Sequence, residues 1–426
     1  MNVHDLLRLH GSRLRALAPL RHPNFRLFFA GQAVSLVGTW MQSIGQAWLV
    51  LQLTHSAFWL GVVSALQWGP VLVLSLPAGV LVDRFAKRAL VLWTQTLFCL
   101  LAFVLGLLAV FGAVRYWHVA VLAVCFGIVN ALDVPARQSL VVELVEGTDD
   151  LTSGIALNSA LFSAARLIGP GIGGLAIAAW GVGVAFLANA ASFLAVIGAM
   201  CIMRGMPTHR VASWTGLLDR MEAGVRFVVR TPPVFWVLVV LTILGLFPAN
   251  YNIFIPVLAY AQLHVGASGF GLLTAVNGAG SMLGGILVAA KGQSIPRRAY
   301  LYWSAVLLSA ATMALSWAVR PDTAAAFLFL AGCSMTIFSS VANSTIQFDT
   351  PDMLRGRVMS IYSLIWNGTT PFGALLMGAL CGTWGLSAAV LVGGGAGLLG
   401  TLGVHAILRR WRRPRVPVSL AGPRVR

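Results

Sequence analysis

The chain holds 426 residues, 58% of them hydrophobic and only 10% charged, with a formal net charge of +17. Soluble domains use about 25% charged residues, so a water-soluble fold is excluded and the excess apolar surface must face lipid. The basic balance then reports topology and contact with anionic headgroups rather than nucleic-acid binding.

No Asp, Glu, Lys or Arg occurs from Leu27 to Val82, from Thr231 to Ala290 or from Val358 to Leu408. One crossing takes about 20 residues, so each tract holds two helices and a turn. The turns fall at Thr54 to Ser56, His264 to Gly269 and Gly382 to Ser387. The same rule across the chain predicts an all-α membrane protein of twelve spans, near 27–52, 58–82, 89–112, 117–140, 153–179, 182–203, 233–260, 267–290, 299–319, 323–347, 358–381 and 386–408. The first apolar run is too long, and its flank too polar, for a cleaved signal peptide. With both termini in the cytoplasm, 26 of the 29 basic residues fall on the cytoplasmic side, leaving Arg115 and Arg320 outside and Arg166 within a span. That asymmetry follows the positive-inside rule.

In chain order, span one carries Gln32, Ser35, Thr39, Gln42 and Gln46. Steps of 3, 4, 3 and 4 put all five on one helical face. Polar groups inside a membrane are costly, and the face either lines a watered substrate cavity or forms a polar packing seam. After span two comes Gly79-Val80-Leu81-Val82-Asp83-Arg84-Phe85-Ala86-Lys87-Arg88. One acid followed by three bases suits a charged gating loop, or simply a positive-inside loop.

Span four holds Asp133 with Arg137 one turn later, and span five holds Arg166 near its middle. Buried charges need partners, so Asp133 pairs with Arg166 or with Arg137. Asp133 is the candidate carrier of a coupling proton; the alternative is a permanent ion pair fixing spans four and five. Span five continues as Gly169-Pro170-Gly171-Ile172-Gly173-Gly174, where proline kinks the helix and glycines admit a close neighbour. It follows no strand and lacks a Gly-Lys-Ser/Thr ending, so it is not a nucleotide loop.

From Arg204 to Arg230 the chain turns polar, and Leu217, Leu218, Met221, Val225 and Val228 are spaced for an amphipathic surface helix over Trp214 to Val229. This segment (204–232) separates an N-terminal six-helix bundle (1–203) from a C-terminal one (233–408), followed by a basic tail (409–426). Pro170 and Pro371 stand 201 residues apart and mark a weak repeat. In the second half, Asn250 and Asn252 on span seven, Asn343 on span ten, and Trp366 and Asn367 on span eleven are further cavity candidates. The five cysteines stand singly, and no His/Cys pattern has metal-ligand spacing; neither metal nor cofactor is expected.

The charged loop resembles the signature between helices two and three of the major facilitator superfamily, and Gly169-Pro170-x-x-Gly173-Gly174 looks like its antiporter motif. Asn24-Phe25-Arg26-Leu27-Phe28, Pro135-Ala136-Arg137-Gln138 and Leu354-Arg355-Gly356-Arg357-Val358-Met359-Ser360 are similar to the branch that includes enterobactin exporters and macrolide efflux proteins. The likeness covers residues 20–408. Ala86 stands where the loop signature has glycine, and the second-half counterpart near Gly285 to Arg298 lacks the acid.

The resemblance implies two bundles and a pathway between helices one, four, seven and ten; no nucleophile, base and orienting group converge at recognisable spacing, so no enzyme activity is expected. The expected function is proton-coupled export of a bulky amphipathic solute, a drug or a siderophore, by a monomer in the bacterial inner membrane. The alternatives are a metabolite importer or lysolipid flippase on the same fold, or a non-transporting membrane scaffold or sensor.

Overall fold

A computed structural model describes residues 17–145, 150–203, 217–291 and 295–411, and among these every regular element is helical. The first half contains α1 (Pro23–Thr54), α2 (Ala57–Arg84), α3 (Lys87–Val110), α4 (Tyr116–Val145) and α5 (Leu151–Ile202). The linker helix α6 (Leu217–Arg230) follows. The second half contains α7 (Pro232–Leu246), α8 (Tyr251–Val257), α9 (Gly266–Lys291), α10 (Arg297–Ala314), α11 (Pro321–Asp349) and α12 (Asp352–Trp411). Among the described residues, nine helices are long and apolar enough to cross a membrane.

Two of these reverse direction at a single glycine. Gly181 (φ 83°, ψ 168°) divides α5, and Gly385 (φ 80°, ψ 167°) divides α12. An L side chain rarely adopts such a conformation, so glycine alone permits a turn this short. The turn expected over Gly382 to Ser387 is therefore one residue wide. The two sites lie 204 residues apart (385 − 181), next to the 201-residue spacing of Pro170 and Pro371. We call the end of the bundle bearing Gly181 and Gly385 the far end, and the opposite one, where α1 begins, the near end.

The span expected over 233–260 is not continuous. Its helix stops at Leu246 and restarts at Tyr251. Pro248 has no N–H to donate, and Asn250 Nδ2 instead donates to the carbonyls of Gly245 (3.2 Å), Leu246 (2.9 Å) and Phe247 (3.1 Å). Other helices outrun their apolar tracts: α4 reaches Val145 and α11 reaches Asp349. Polar near-end turns stay helical beyond the stretch that hydrophobicity reveals.

Within the first half, α1 packs along α5, and its glycines are spaced by seven. Gly31, Gly38 and Gly45 lie against Val196, Ser192 and Phe186 of α5 after its reversal. Between the halves, α5 meets α9 and α2 meets α12. Gly174 touches Gly271, and Gly61 touches Gly378. The linker helix lies under the second half, with Gly224 against Arg357 and Ile361 of α12; Trp214 falls outside the described residues.

Candidate substrate pathway and charge network

Asp133 is fully buried, and Arg137 is the partner it takes. The Arg137 Nε stands 2.5 Å from Asp133 Oδ2, one turn along the same helix. Oδ1 accepts from Thr94 Oγ1 (2.6 Å) and Gln95 Nε2 (2.9 Å), both on α3. Arg137 Nη1 donates to Gln32 Oε1 of α1 (3.2 Å). The network thus joins α1, α3 and α4, and not spans four and five. Thr94 and Gln95 escaped the sequence reading because nothing in their own helix marks them; their partner is 38 or more residues away.

Arg166 is separate. Its guanidinium lies 5.8 Å from the Trp40 ring centre, a cation–π distance. Trp40 also takes the edge of Phe162, one turn before Arg166 (5.8 Å, 70°). The Arg166 carbonyl backs onto Gly278 of α9, in the other half. Arg166, on α5, therefore sits where α1 and α9 meet its helix.

The polar stripe on α1 divides among different neighbours. Gln42 Oε1 accepts from Asn189 Nδ2 of α5 (2.6 Å), and Gln46 Nε2 donates to Gln67 Oε1 of α2 (2.9 Å). Thr39 bonds back to the Ser35 carbonyl (2.9 Å), and Ser35 is buried. In the second half, Asn252 is exposed, whereas Asn250 is engaged in the helix break described above. Asn343 Oδ1 accepts from Gln347 (2.5 Å), Asn367 Nδ2 donates to the Ser363 carbonyl (2.9 Å), and Trp366 stacks with Tyr362 (6.3 Å).

At the far end the halves are joined by aromatic groups. Trp48 of α1, 8% exposed, meets Tyr260 edge-on (5.4 Å) and stacks near Phe270 (6.1 Å). His55 Nδ1 lies 2.7 Å from Tyr260 Oη.

In the charged loop, Lys87 Nζ donates to the carbonyls of Val82 (2.6 Å) and Phe85 (3.3 Å). Arg88 Nε donates to the Met200 carbonyl (2.7 Å), and its Nη2 to that of Cys201 (3.3 Å). Both cations thus complete the carbonyl ends of helices, where the dipole favours positive charge. Arg84 is engaged as well, a Cβ on Gly79 would meet open space, and the Asp83 side chain falls outside the described residues. In the proline motif, a Cβ on Gly169 would press on Trp40, and one on Gly173 on Met41. Gly174 and the Pro170 carbonyl face Gly271. Among the described residues no group of three His, Cys, Asp or Glu is placed to hold a metal, and the five cysteines are free.

The family model described as transmembrane secretion effector matches residues 14–417. The chain belongs to this family of the major facilitator superfamily. Family membership makes it a multi-pass membrane transporter of small molecules and not an enzyme. Members similar to it include the staphyloferrin A transporter of Staphylococcus aureus, 24% identical over 85% of this chain and 90% of that protein. The multidrug efflux pump Tap of Mycolicibacterium fortuitum is 27% identical over 87% of this chain and 92% of its own. Among solved structures, a mutant of the nucleoside transporter NupG superposes with a TM-score of 0.75 at 10% identity, covering 91% of this chain and 99% of that one. The match to NupG speaks for the fold alone.

Proposed function

We propose that this chain is a proton-coupled exporter of bulky amphipathic small molecules that works by alternating access. The observation that carries the reading is the far-end closure, where Trp48 meets Tyr260 and Phe270 and His55 bonds Tyr260. The contacts between halves described above run from mid-bundle to that end. Rocking the halves apart there would turn the exposed Asn252 and the half-buried Trp40, Asn343, Trp366 and Asn367 to the other side. Relatives named for multidrug efflux and for a siderophore support export of such solutes.

In this reading the protein has twelve spans. Dividing α5 and α12 at Gly181 and Gly385 turns the nine apolar helices into eleven, and α1, with its glutamines, is the twelfth. The near end is cytoplasmic by the positive-inside rule, so the conformation is closed outward. Lys87 and Arg88 hold the loop that moves with α2. Asp133 and Arg137 carry the coupling step: protonating the acid would leave Arg137 held by Gln32 on α1 and no longer by a carboxylate. One observation favours a second reading for this pair. Every partner of Asp133 is a donor, which also suits a permanent ion pair.

The test is whole-cell accumulation of dyes and antibiotics in an efflux-deficient bacterium, with and without an uncoupler. Expression should lower accumulation, and the uncoupler should restore it. Equal accumulation with and without the protein across the panel would sink the exporter reading. Proton-coupled efflux that survives Asp133→Asn unchanged would leave the pair a structural one.

A further inference from the structure

We infer that Arg166 is the docking point for an anionic group, a carboxylate or phosphate, on the transported molecule. The inference rests on the transporter reading and narrows its substrate class to solutes that carry negative charge beside an apolar, aromatic-binding body.

Three observations carry it. First, Arg166 has no carboxylate partner among the described residues. Asp133, the one buried acid among the described residues, is held by Arg137, Thr94 and Gln95. Second, Arg166 stands 15 residues from Leu151 and 15 from Gly181, the two ends of its helical segment (166 − 151 and 181 − 166). At 1.5 Å per residue that is about 22 Å from either end, so its backbone sits mid-membrane, far from lipid headgroups. A guanidinium there is costly unless it has a charge partner or lines a solute path. Third, Arg166 stands at the seam of the halves: its guanidinium faces Trp40 of α1, and its backbone carbonyl backs onto Gly278 of α9. A group bound there would touch both bundles, as a substrate that couples their rocking must. The planar fork of arginine matches carboxylate and phosphate oxygens in pairs, and Trp40, with Phe162 at its edge, offers an aromatic face beside it.

The experiment uses the full chain, purified and reconstituted. Thermal unfolding is followed with citrate and with chloride at equal ionic strength. Uptake of carboxyfluorescein, an anion, and of rhodamine 123, a cation, is followed in proteoliposomes with a proton gradient. The expected result is that citrate, and not chloride, raises the Tm of the wild type. Arg166→Gln should abolish that rise and slow carboxyfluorescein about tenfold or more, the scale of one charge-assisted hydrogen-bond pair. Arg166→Lys should keep part of both, and rhodamine 123 should be unaffected. Transport of rhodamine 123 with no response to citrate or carboxyfluorescein overturns the anion site and leaves the exporter. Citrate stabilisation that depends on Arg166, with neither dye moved, supports the anion site and counts against export of bulky dyes. Equal loss of both dyes in a folded Arg166→Gln protein that still responds to citrate overturns the docking role.

Discussion

Gly174 and Gly271 meet backbone to backbone across the two halves. A Cβ on Gly174 would stand 2.8 Å from the Gly271 Cα, and a Cβ on Gly271 would stand 2.7 Å from the Gly174 Cα. Gly61 and Gly378 make the corresponding contact between α2 and α12. Backbone cannot swing aside as a side-chain tip can, so overpacking here should cost about 1–3 kcal/mol. Gly271→Ala is expected to lower the Tm and to weaken the far-closed state. Gly285→Ala on the same helix, where only Thr336 Cγ2 lies near at 3.9 Å, should be neutral or slightly stabilising through helix propensity. Thermal unfolding of the two variants, compared side by side, checks the difference.

The Asp133 network makes an asymmetric prediction. Asp133→Ala leaves Arg137 without its carboxylate and strips an acceptor from Thr94 and Gln95. Removing one member of a buried pair costs about 3–5 kcal/mol, less here because the Arg137 side chain keeps 26% of its surface. Asp133→Asn retains an acceptor for the α3 donors and should be the milder change. Replacing both Asp133 and Arg137 with apolar residues of similar size should recover part of the stability lost in Asp133→Ala. A double-mutant cycle on thermal unfolding reads all of these.

His55 Nδ1 and Tyr260 Oη form a hydrogen bond between the halves beside the Trp48 contact. Tyr260→Phe keeps the ring against Trp48 and loses only that bond, at about 1 kcal/mol. Trp48→Ala removes a nearly buried indole and should cost about 3–5 kcal/mol. Both changes act on the far-closed state. Hydrogen exchange in the last turns of α1 and in the Leu258–Gln262 segment is expected to rise modestly for Tyr260→Phe and strongly for Trp48→Ala.

Lys87 and Arg88 end as helix caps, each bonded to carbonyls that a helix terminus leaves unpaired. Arg88→Ala frees the Met200 and Cys201 carbonyls at once and should cost about 1–3 kcal/mol. Arg88→Lys, with a point charge in place of the fork, should restore only part of it. Lys87→Met should behave like Arg88→Ala, because Lys87 is buried and the Val82 carbonyl loses its donor. Unfolding temperatures of the three variants give the order.

Hydrophobicity alone revealed the helices, because lipid-facing runs have no other use. It could not reveal where a helix outruns its apolar stretch, as α4 and α11 do, nor the break at Pro248, where the carbonyls of Gly245, Leu246 and Phe247 are tied by the Asn250 side chain three to five residues on. The period of the α1 stripe was legible, and so was the need of Asp133 for a cation. Which cation was not, because Arg137 and Arg166 differ in direction rather than in type. Gln32, Gln42 and Gln46 share a face yet bond to α4, α5 and α2, since a glutamine arm is long enough to reach a neighbour on either side. The seven-residue spacing of Gly31, Gly38 and Gly45 was open to view in the sequence and marks the α1–α5 contact.

The pair Gln42–Asn189 tests whether the stripe is packing or cavity wall. Asn189 Nδ2 donates to Gln42 Oε1 at 2.6 Å, and Asn189 Oδ1 accepts from Ser192 at 3.0 Å. Both amides are buried inside the first half. Asn189→Leu leaves the Gln42 carbonyl without its donor and should cost about 1–3 kcal/mol. Adding Gln42→Leu removes the orphaned group and should return most of that, because two apolar partners need no hydrogen bond. A packing seam predicts this recovery in thermal stability together with unchanged transport of every solute in the panel. A cavity wall predicts that the double variant, though stable, shifts the substrate profile toward more apolar solutes. Gln46, half-buried and bonded to Gln67 across to α2, serves as the comparison: Gln46→Leu should change transport more than stability if only the far part of the stripe faces the path.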